Sequence, residues 1–267
     1  WPSRQEDPPR EKNKGGVDPD EVICTNGSDE ILNFVIMAFA DEKSPLAFPN
    51  ITYGFYPVFA KLNHVPYEEI PLNDDFTINV EDYIGKNKTI FIANPNAPTG
   101  IALPLSDIER IVKSNPDSVV IVDEAYVDFG GESAIPLTEK YDNLLVIQTF
   151  SKSRSMAGMR IGFAIGNEEL IQAIQNVKYS YNSYTLNRTA ILAGTASVKN
   201  HSYFTETCRK IIKTREAAKL VMKELGFTVL DSKTNFLFVT HPDFPAALIQ
   251  SELKKRNIYV RYWSKPR

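Results

Sequence analysis

Two apolar runs are followed by side chains that could do chemistry at the places where buried strands are expected to end. Ser151 and Lys152 come after the run at residues 144–150, and Asp123 closes the run at residues 119–123, with Tyr126 three residues later. A charged amine next to a buried strand is unfavourable unless it has a chemical role. An amine, a carboxylate and a phenol in one place are suited to nucleophilic and acid–base chemistry.

A second set of residues is suited to binding an anion. The stretch "TNGSDE" at residues 25–30 predicts a strand that enters a helix, whose free backbone N–H groups and dipole attract negative charge. The hydroxyl of Ser151 and the guanidinium of Arg160 could add to it. Singly, each feature is more often a helix cap or a solvated loop residue. Their combination favours a phosphate site near Lys152.

Alternating strands and helices are predicted to position these side chains. Short apolar runs rich in β-branched residues predict buried strands at residues 21–25, 45–49, 89–94, 119–123 and 144–150. Amphipathic segments predict helices near residues 29–40, 53–62 and 105–114. This alternation indicates a mostly parallel sheet covered on both faces. Ligands of such sheets bind beyond the carboxyl ends of the strands, where Asn94, Asp123 and Lys152 follow one another at equal intervals of 29 residues.

The chain is predicted to have three parts. Residues 1–16 are polar and rich in Pro and Gly, which is typical of a flexible leader. Residues 17–200 would form a large α/β domain. Residues 201–267 would form a smaller α+β domain, with a long helix at 201–225, strand-like runs at 227–231 and 235–240, and a helix at 246–256.

Composition excludes several classes of protein. The chain has 267 residues, 43% of them hydrophobic, and a formal net charge of −3. This mild acidity does not favour binding to nucleic acid or to an anionic membrane, and no apolar run has the length of a membrane span. Cys24 and Cys208 lack metal-ligand spacing and are expected to be reduced thiols of a cytosolic protein. His64, His201 and His241 occur in unrelated contexts, so no metal site is predicted.

The order of these motifs resembles the fold-type I pyridoxal-phosphate aminotransferases, in particular their histidinol-phosphate aminotransferase branch. The matching stretches are "TNGSDEI", "ITYGFY", "NPNAPTG", "VIVDEAYVDF", "QTFSKSRSMAGMRIGF", "YNSYTLNR", "TNFLFV" and "IYVRYW". The resemblance covers residues 17–267. It implies a large, mostly parallel seven-stranded sheet domain, a smaller α+β domain, and a homodimer whose active site is shared between subunits.

The resemblance also implies roles for individual residues. Lys152 would bind pyridoxal 5′-phosphate covalently, Asp123 would pair with the ring nitrogen, and Tyr126 would hydrogen-bond the ring's 3′ oxygen. The residues expected around the rest of the cofactor and the substrate are Ser151, Arg160 and the backbone of Gly27, Ser28 and Asp29 for the phosphate, Tyr53 against the ring, and Arg261 for the substrate's anionic group.

Two departures from the family pattern stand out. Relatives carry Asn where this chain has Ala97, so Asn96, one place earlier, is the candidate for the lost contact to the cofactor. The family's N-terminal tyrosine segment and its C-terminal segment with a second substrate arginine are also missing. We therefore expect the small domain to be incomplete at its C-terminus.

The implied reaction is transamination in histidine biosynthesis, in the cytoplasm. L-Histidinol phosphate and 2-oxoglutarate would give imidazole-acetol phosphate and glutamate. An aromatic-amino-acid aminotransferase or a threonine-phosphate decarboxylase on the same fold is the nearest alternative. A non-catalytic pyridoxal-phosphate-binding regulatory module is a third, although no basic helical segment precedes Val17. A dinucleotide-dependent dehydrogenase is disfavoured, because "TNGSDE" lacks the Gly-x-Gly-x-x-Gly pattern.

Overall fold

A seven-stranded sheet lies at the centre of the computed structural model, which describes residues 17–264. The predicted leader at residues 1–16 lies outside the described residues, as do residues 265–267 of the predicted small domain. The strands are β1 (Val22–Asn26), β2 (Leu46–Pro49), β3 (Tyr67–Ile70), β4 (Thr89–Ala93), β5 (Val120–Asp123), β6 (Leu144–Thr149), β7 (Ile161–Gly166), β8 (Thr228–Val229) and β9 (Val239–Thr240). The helices are α1 (Ser28–Phe39), α2 (Tyr56–Leu62), α3 (Leu105–Ser114), α4 (Glu168–Tyr181), α5 (Arg188–Lys199), α6 (His201–Glu224) and α7 (Ala246–Lys255).

The large sheet is mostly parallel, as predicted. Its strand order is β1-β7-β6-β5-β4-β2-β3, and β7 alone in this sheet runs antiparallel to its neighbours, β1 and β6. The remaining pairs, from β6 across to β3, are parallel. The carboxyl ends of β4, β5 and β6 therefore meet at one edge of the sheet. The α/β fold class is confirmed.

Side chains of the central strands alternate between two buried clusters, one on each face of the sheet. On β6, Leu145 and Ile147 belong to the cluster covered by α1 and α4, whereas Leu144 and Val146 belong to the cluster covered by α3. A strand buried on both faces has to be apolar at nearly every position. This is why the central strands appear as uninterrupted apolar runs in the sequence.

Several elements were missed or misplaced by the sequence prediction. The edge strand β3 contains two glutamates and therefore has no apolar run. The apolar strand β7 and the helices α4 and α5 were also not predicted. The second helix begins at Tyr56, not at residue 53, with Pro57 in its first turn. Proline favours that position because its missing N–H group has no intrahelical acceptor there.

The C-terminal part contains α6, α7 and a two-stranded sheet of β8 and β9. The predicted domain boundary at residue 200 stays a prediction. Both cysteines are free thiols. Within residues 17–264, the structure has no helix with the length and apolar character required to cross a bilayer.

A buried arginine links α6 to the end of the large sheet. Arg215 is 7% exposed, and its Nη1 donates to the carbonyl oxygens of Phe129 and Thr234 at 2.7 and 2.8 Å. Its guanidinium also pairs with Glu216 at 2.7 Å. Near the C-terminal end of this helix, Val221 and Leu225 are exposed.

Replacing Arg215 with methionine is expected to lower the free energy of unfolding by about 2–4 kcal/mol, because two buried carbonyl groups lose their donor. Urea unfolding measures the change. Lys213→Met, at an exposed position of the same helix, is the matched control and should unfold near the wild-type urea concentration. Equal midpoints for the two variants would show that the Arg215 contacts carry no net stability.

Candidate active site

A cleft of about 150 Å³ opens at the carboxyl ends of the central strands. The three residues predicted to do chemistry, Lys152, Asp123 and Tyr126, all line it. So do five of the predicted binding residues, which are Ser28, Asp29, Tyr53, Ser151 and Arg160. The parallel sheet thus brings together residues from widely separated parts of the chain.

Asp123 ends β5 and is almost completely buried, at 5% exposure. Its Oδ2 accepts a hydrogen bond from the Tyr56 hydroxyl at 2.9 Å, and its Oδ1 accepts one from the Ala125 N–H at 3.2 Å. Burial raises the pKa of this carboxyl to about 6, against the opposing effects of the Tyr56 hydrogen bond and the Lys152 charge. The site therefore holds a fixed carboxylate whose charge can respond to a bound cation.

Lys152 lies in the loop after β6 and is exposed to the cleft. Its Nζ is 5.4 Å from the centroid of the Tyr126 ring. The loop is closed by hydrogen bonds from the Ser155 N–H to the Lys152 carbonyl and from the Met156 N–H to the Phe150 carbonyl, both at 3.1 Å. An accessible amine above a buried carboxylate is suited to attack on a carbonyl ligand.

The groups predicted to bind an anion lie around the start of α1. Gly27 precedes this helix with a φ of 82°, and Ser28 and Asp29 form its first turn. The Arg160 Nη1 lies 3.5 Å from the Ser151 hydroxyl. First-turn N–H groups, a hydroxyl and a guanidinium are the donors expected of a phosphate site.

The Asp29 carboxylate interacts with two other residues that line the cleft. Its Oδ1 accepts a hydrogen bond from the Tyr53 hydroxyl at 2.8 Å, and its Oδ2 lies 3.8 Å from the Arg160 Nη2. Burial, with the hydrogen bond to Asp29, raises the pKa of Tyr53 above its usual range. These contacts leave the Asp29 N–H as the group available to an anion, and that role stays a prediction.

Gly162 on β7 lies directly against the start of α1. A Cβ atom added there would clash with the backbone nitrogen of Ser28 and the carbonyl carbon of Gly27. Only a residue without a side chain lets β7 approach the helix this closely.

We expect Gly162→Ala to lower the free energy of unfolding by about 1–3 kcal/mol, because the backbone of α1 has to move. Gly158→Ala is the control, since a Cβ atom there would have no atom within 4 Å. Thermal or urea unfolding distinguishes the two variants. An unchanged midpoint for Gly162→Ala would contradict the close approach.

Three predicted site residues do not line the cleft. The Asn96 side chain is buried away from it: its Oδ1 accepts from Thr52 at 2.7 Å, and its Nδ2 donates to the Ile51 carbonyl at 2.9 Å. Arg261 is exposed, with its guanidinium 5.5 Å from the Trp263 ring centroid. Gly27 immediately precedes Ser28 and is absent from the cleft lining. Ala97 does line the cleft, so the contact expected from Asn96 has no support in this geometry.

Two residues next to Asp123 were missed by the sequence analysis. Tyr56 is fully buried and donates to Asp123; its place in "ITYGFY", three residues after Tyr53, was the available signal. Glu124 is also buried and accepts from the Ser133 hydroxyl at 2.6 Å and from Gln148 at 2.8 Å. Burial raises the pKa of Glu124 to about 7. Within residues 17–264, the structure contains no group of three acidic, histidine or cysteine side chains arranged for a metal ion.

The sequence of this chain is similar to those of known aminotransferases. The family model for aminotransferase class I and II matches residues 11–267. The histidinol-phosphate aminotransferase of Brachyspira hyodysenteriae is 53% identical over 248 residues, which are 92% of this chain and 70% of that protein. The histidinol-phosphate aminotransferase 2 of Dechloromonas aromatica is 51% identical over 252 residues, covering 94% of this chain and 71% of the relative.

The crystal structure of histidinol-phosphate aminotransferase from Sinorhizobium meliloti in complex with pyridoxal-5′-phosphate has a TM-score of 0.83 to this chain. The two share 23% sequence identity, and the match covers 91% of this chain and 69% of that one. At this level of identity, the likeness concerns the fold.

Proposed function

The chain belongs to the class I and II aminotransferase family, and on that premise we propose that it transfers the amino group of L-histidinol phosphate to 2-oxoglutarate. The products are imidazole-acetol phosphate and glutamate, as a step of histidine biosynthesis. The observation that carries this proposal is the identity of about half of all residues to histidinol-phosphate aminotransferases over more than nine-tenths of the chain. The cleft supplies side chains suited to the chemistry.

Pyridoxal 5′-phosphate fits the donors and acceptors of the cleft. The hydroxyl of Ser151, the guanidinium of Arg160 and the N–H groups of Ser28 and Asp29 would hold its phosphate. Asp123, as a buried carboxylate, would hold a protonated ring nitrogen, and the Lys152 amine would bind its aldehyde covalently. The bound cofactor supplies an electron sink that makes the proton on the substrate's Cα acidic.

The protein's own groups then orient the reactants and move one proton. The Lys152 amine would act as the general base that takes the proton from the substrate's Cα, and as the acid that gives a proton back to complete the transfer. The Asp123 carboxylate would keep the ring nitrogen protonated. Tyr126 would donate a hydrogen bond to the ring's 3′ oxygen, and the Tyr53 ring would pack against the cofactor. These roles account for each predicted residue that lines the cleft.

We also propose that the protein acts as a homodimer in the cytoplasm. Several apolar side chains are exposed on two helices, with Val58 and Leu62 on α2, and Ile191, Leu192 and Val198 on α5. Exposed apolar surface of this kind favours association. Light scattering should give the mass of two chains, and a fully active monomer would contradict the proposal.

Side-by-side assays of three amino substrates test the reaction. L-Histidinol phosphate, L-phenylalanine and L-threonine phosphate are each supplied with 2-oxoglutarate, and glutamate and carbon dioxide are measured. We expect histidinol phosphate to give glutamate with the highest kcat/KM. Glutamate from phenylalanine alone, or carbon dioxide from threonine phosphate, would identify one of the alternatives. Binding of the cofactor without turnover of any substrate would identify a regulatory module.

A further inference from the structure

The buried phenol of Tyr56 is aimed at the carboxylate that lies in the floor of the cleft. Tyr56 is the first residue of α2 and has no exposed surface. Its ring packs against Phe48, Tyr53 and Phe91, with centroid distances of 5.7, 5.6 and 5.2 Å. This packing leaves the hydroxyl in one position, where it donates to Asp123 Oδ2 at 2.9 Å.

We propose that Tyr56 is a positioning residue for the cofactor, because its phenol orients the Asp123 carboxylate and keeps it ionised so that it can hold the protonated ring nitrogen. This inference rests on the proposed binding of pyridoxal 5′-phosphate. Tyr56 acts through Asp123 and does not line the cleft itself.

The orientation of Asp123 follows from its two hydrogen bonds. The Ala125 N–H holds Oδ1 from the backbone, and the Tyr56 hydroxyl holds Oδ2 from the facing helix. A carboxyl with both oxygens restrained cannot rotate away from the cleft. Each oxygen keeps a free lone pair for a further donor.

The charge of Asp123 depends on the groups that face it. Burial raises its pKa, and Asp29 from α1 acts in the same direction, whereas the Tyr56 hydrogen bond and the Lys152 charge lower it. Tyr53 is a further titratable neighbour, since the Asp123 charge contributes to its raised pKa. Burial raises the pKa of the Tyr56 phenol well above its usual range, so this group stays protonated and available as a donor.

The direction of the pH dependence follows from these shifts. The Asp123 carboxyl has a pKa of about 6 in the folded chain, above its ordinary value, so its contribution to stability is lost as the pH rises through 6. Tyr56→Phe removes a donor to the charged form and moves that pKa higher. The free energy of unfolding of the variant should therefore be only slightly below that of the wild type at low pH, and the difference should grow as the pH rises above 6.

The experiment compares Tyr56→Phe with Tyr83→Phe in the full chain. Tyr83 is also buried, and its hydroxyl has no hydrogen-bond partner among the described residues, so this control removes a buried phenol that supports no carboxylate. Equilibrium titration with pyridoxal 5′-phosphate at about pH 8 should give a Kd raised about three- to tenfold for Tyr56→Phe. Tyr83→Phe should bind as the wild type does.

A double-mutant cycle with Asp123→Asn separates positioning from packing. In urea unfolding without cofactor, Tyr56→Phe should lower the free energy of unfolding less in the Asp123→Asn background than in the wild type. The pH dependence of this effect should disappear in that background. If Tyr56→Phe lowered the free energy of unfolding equally in both backgrounds, or by an amount that does not change with pH, the inference would be overturned. If the wild type fails to bind the cofactor, the proposed function fails, but the unfolding cycle still tests the contact between Tyr56 and Asp123.

Discussion

Replacing Lys152 with alanine is expected to lower kcat for transamination by at least about 10⁴-fold, because one side chain supplies both the covalent link and the proton carrier. The visible absorbance of the covalently held cofactor should disappear with it. The groups that we propose for the phosphate lie elsewhere in the cleft, on Ser28, Ser151 and Arg160, so the variant should still bind pyridoxal 5′-phosphate reversibly.

Absorbance spectra and a coupled glutamate assay measure the two effects on one sample. Lys140→Ala is the control for loss of a lysine, because this side chain is exposed and pairs with Glu109 at the surface. It should keep the wild-type spectrum and rate. A Lys152→Ala protein with appreciable turnover would mean that another amine does the chemistry.

The second large effect is expected at Asp123. Asp123→Ala should lower kcat by about 10²–10³-fold, because the substitution removes the preorganised carboxylate that would hold the ring nitrogen in its protonated form. The ring would then be a poorer electron sink. Cofactor content at saturating pyridoxal 5′-phosphate should fall much less, since the phosphate contacts and Lys152 remain. Loss of turnover should thus exceed loss of cofactor.

Paired measurements of kcat and of bound cofactor per chain test this separation. Asp128→Ala, a few residues along the same segment, is a useful comparison, because Asp128 accepts from the Ser153 hydroxyl at 2.5 Å and does not line the cleft. It should keep a much larger share of the activity. If Asp123→Ala lost cofactor and turnover in equal proportion, the residue would serve binding alone.

The sequence was sufficient for the main features of the site because these depend on local patterns. Mostly apolar runs marked β4, β5 and β6. Asp123 is the last residue of β5, and Ser151 and Lys152 follow shortly after β6. In a parallel sheet these ends have to meet at one edge. The strongly amphipathic α3 was predicted with both of its observed ends.

The remaining contacts depend on tertiary structure. Tyr56 and Asp123 are 67 residues apart, and nothing in "ITYGFY" tells which of its two tyrosines faces the carboxylate. The direction of the Asn96 side chain is likewise set by Thr52, at the other end of a hydrogen bond. Arg215 occupies a buried place on α6 although it is charged, because two carbonyl groups from distant segments converge on it.

The central claim is that the Lys152 amine carries pyridoxal 5′-phosphate. The most direct test is to load the purified protein with the cofactor, reduce it with borohydride, digest it and locate the added pyridoxyl phosphate mass by tandem mass spectrometry. We predict that the added mass lies on Lys152, in the peptide containing "TFSK". Stoichiometric labelling of any other lysine, with Lys152 unmodified, would contradict the account.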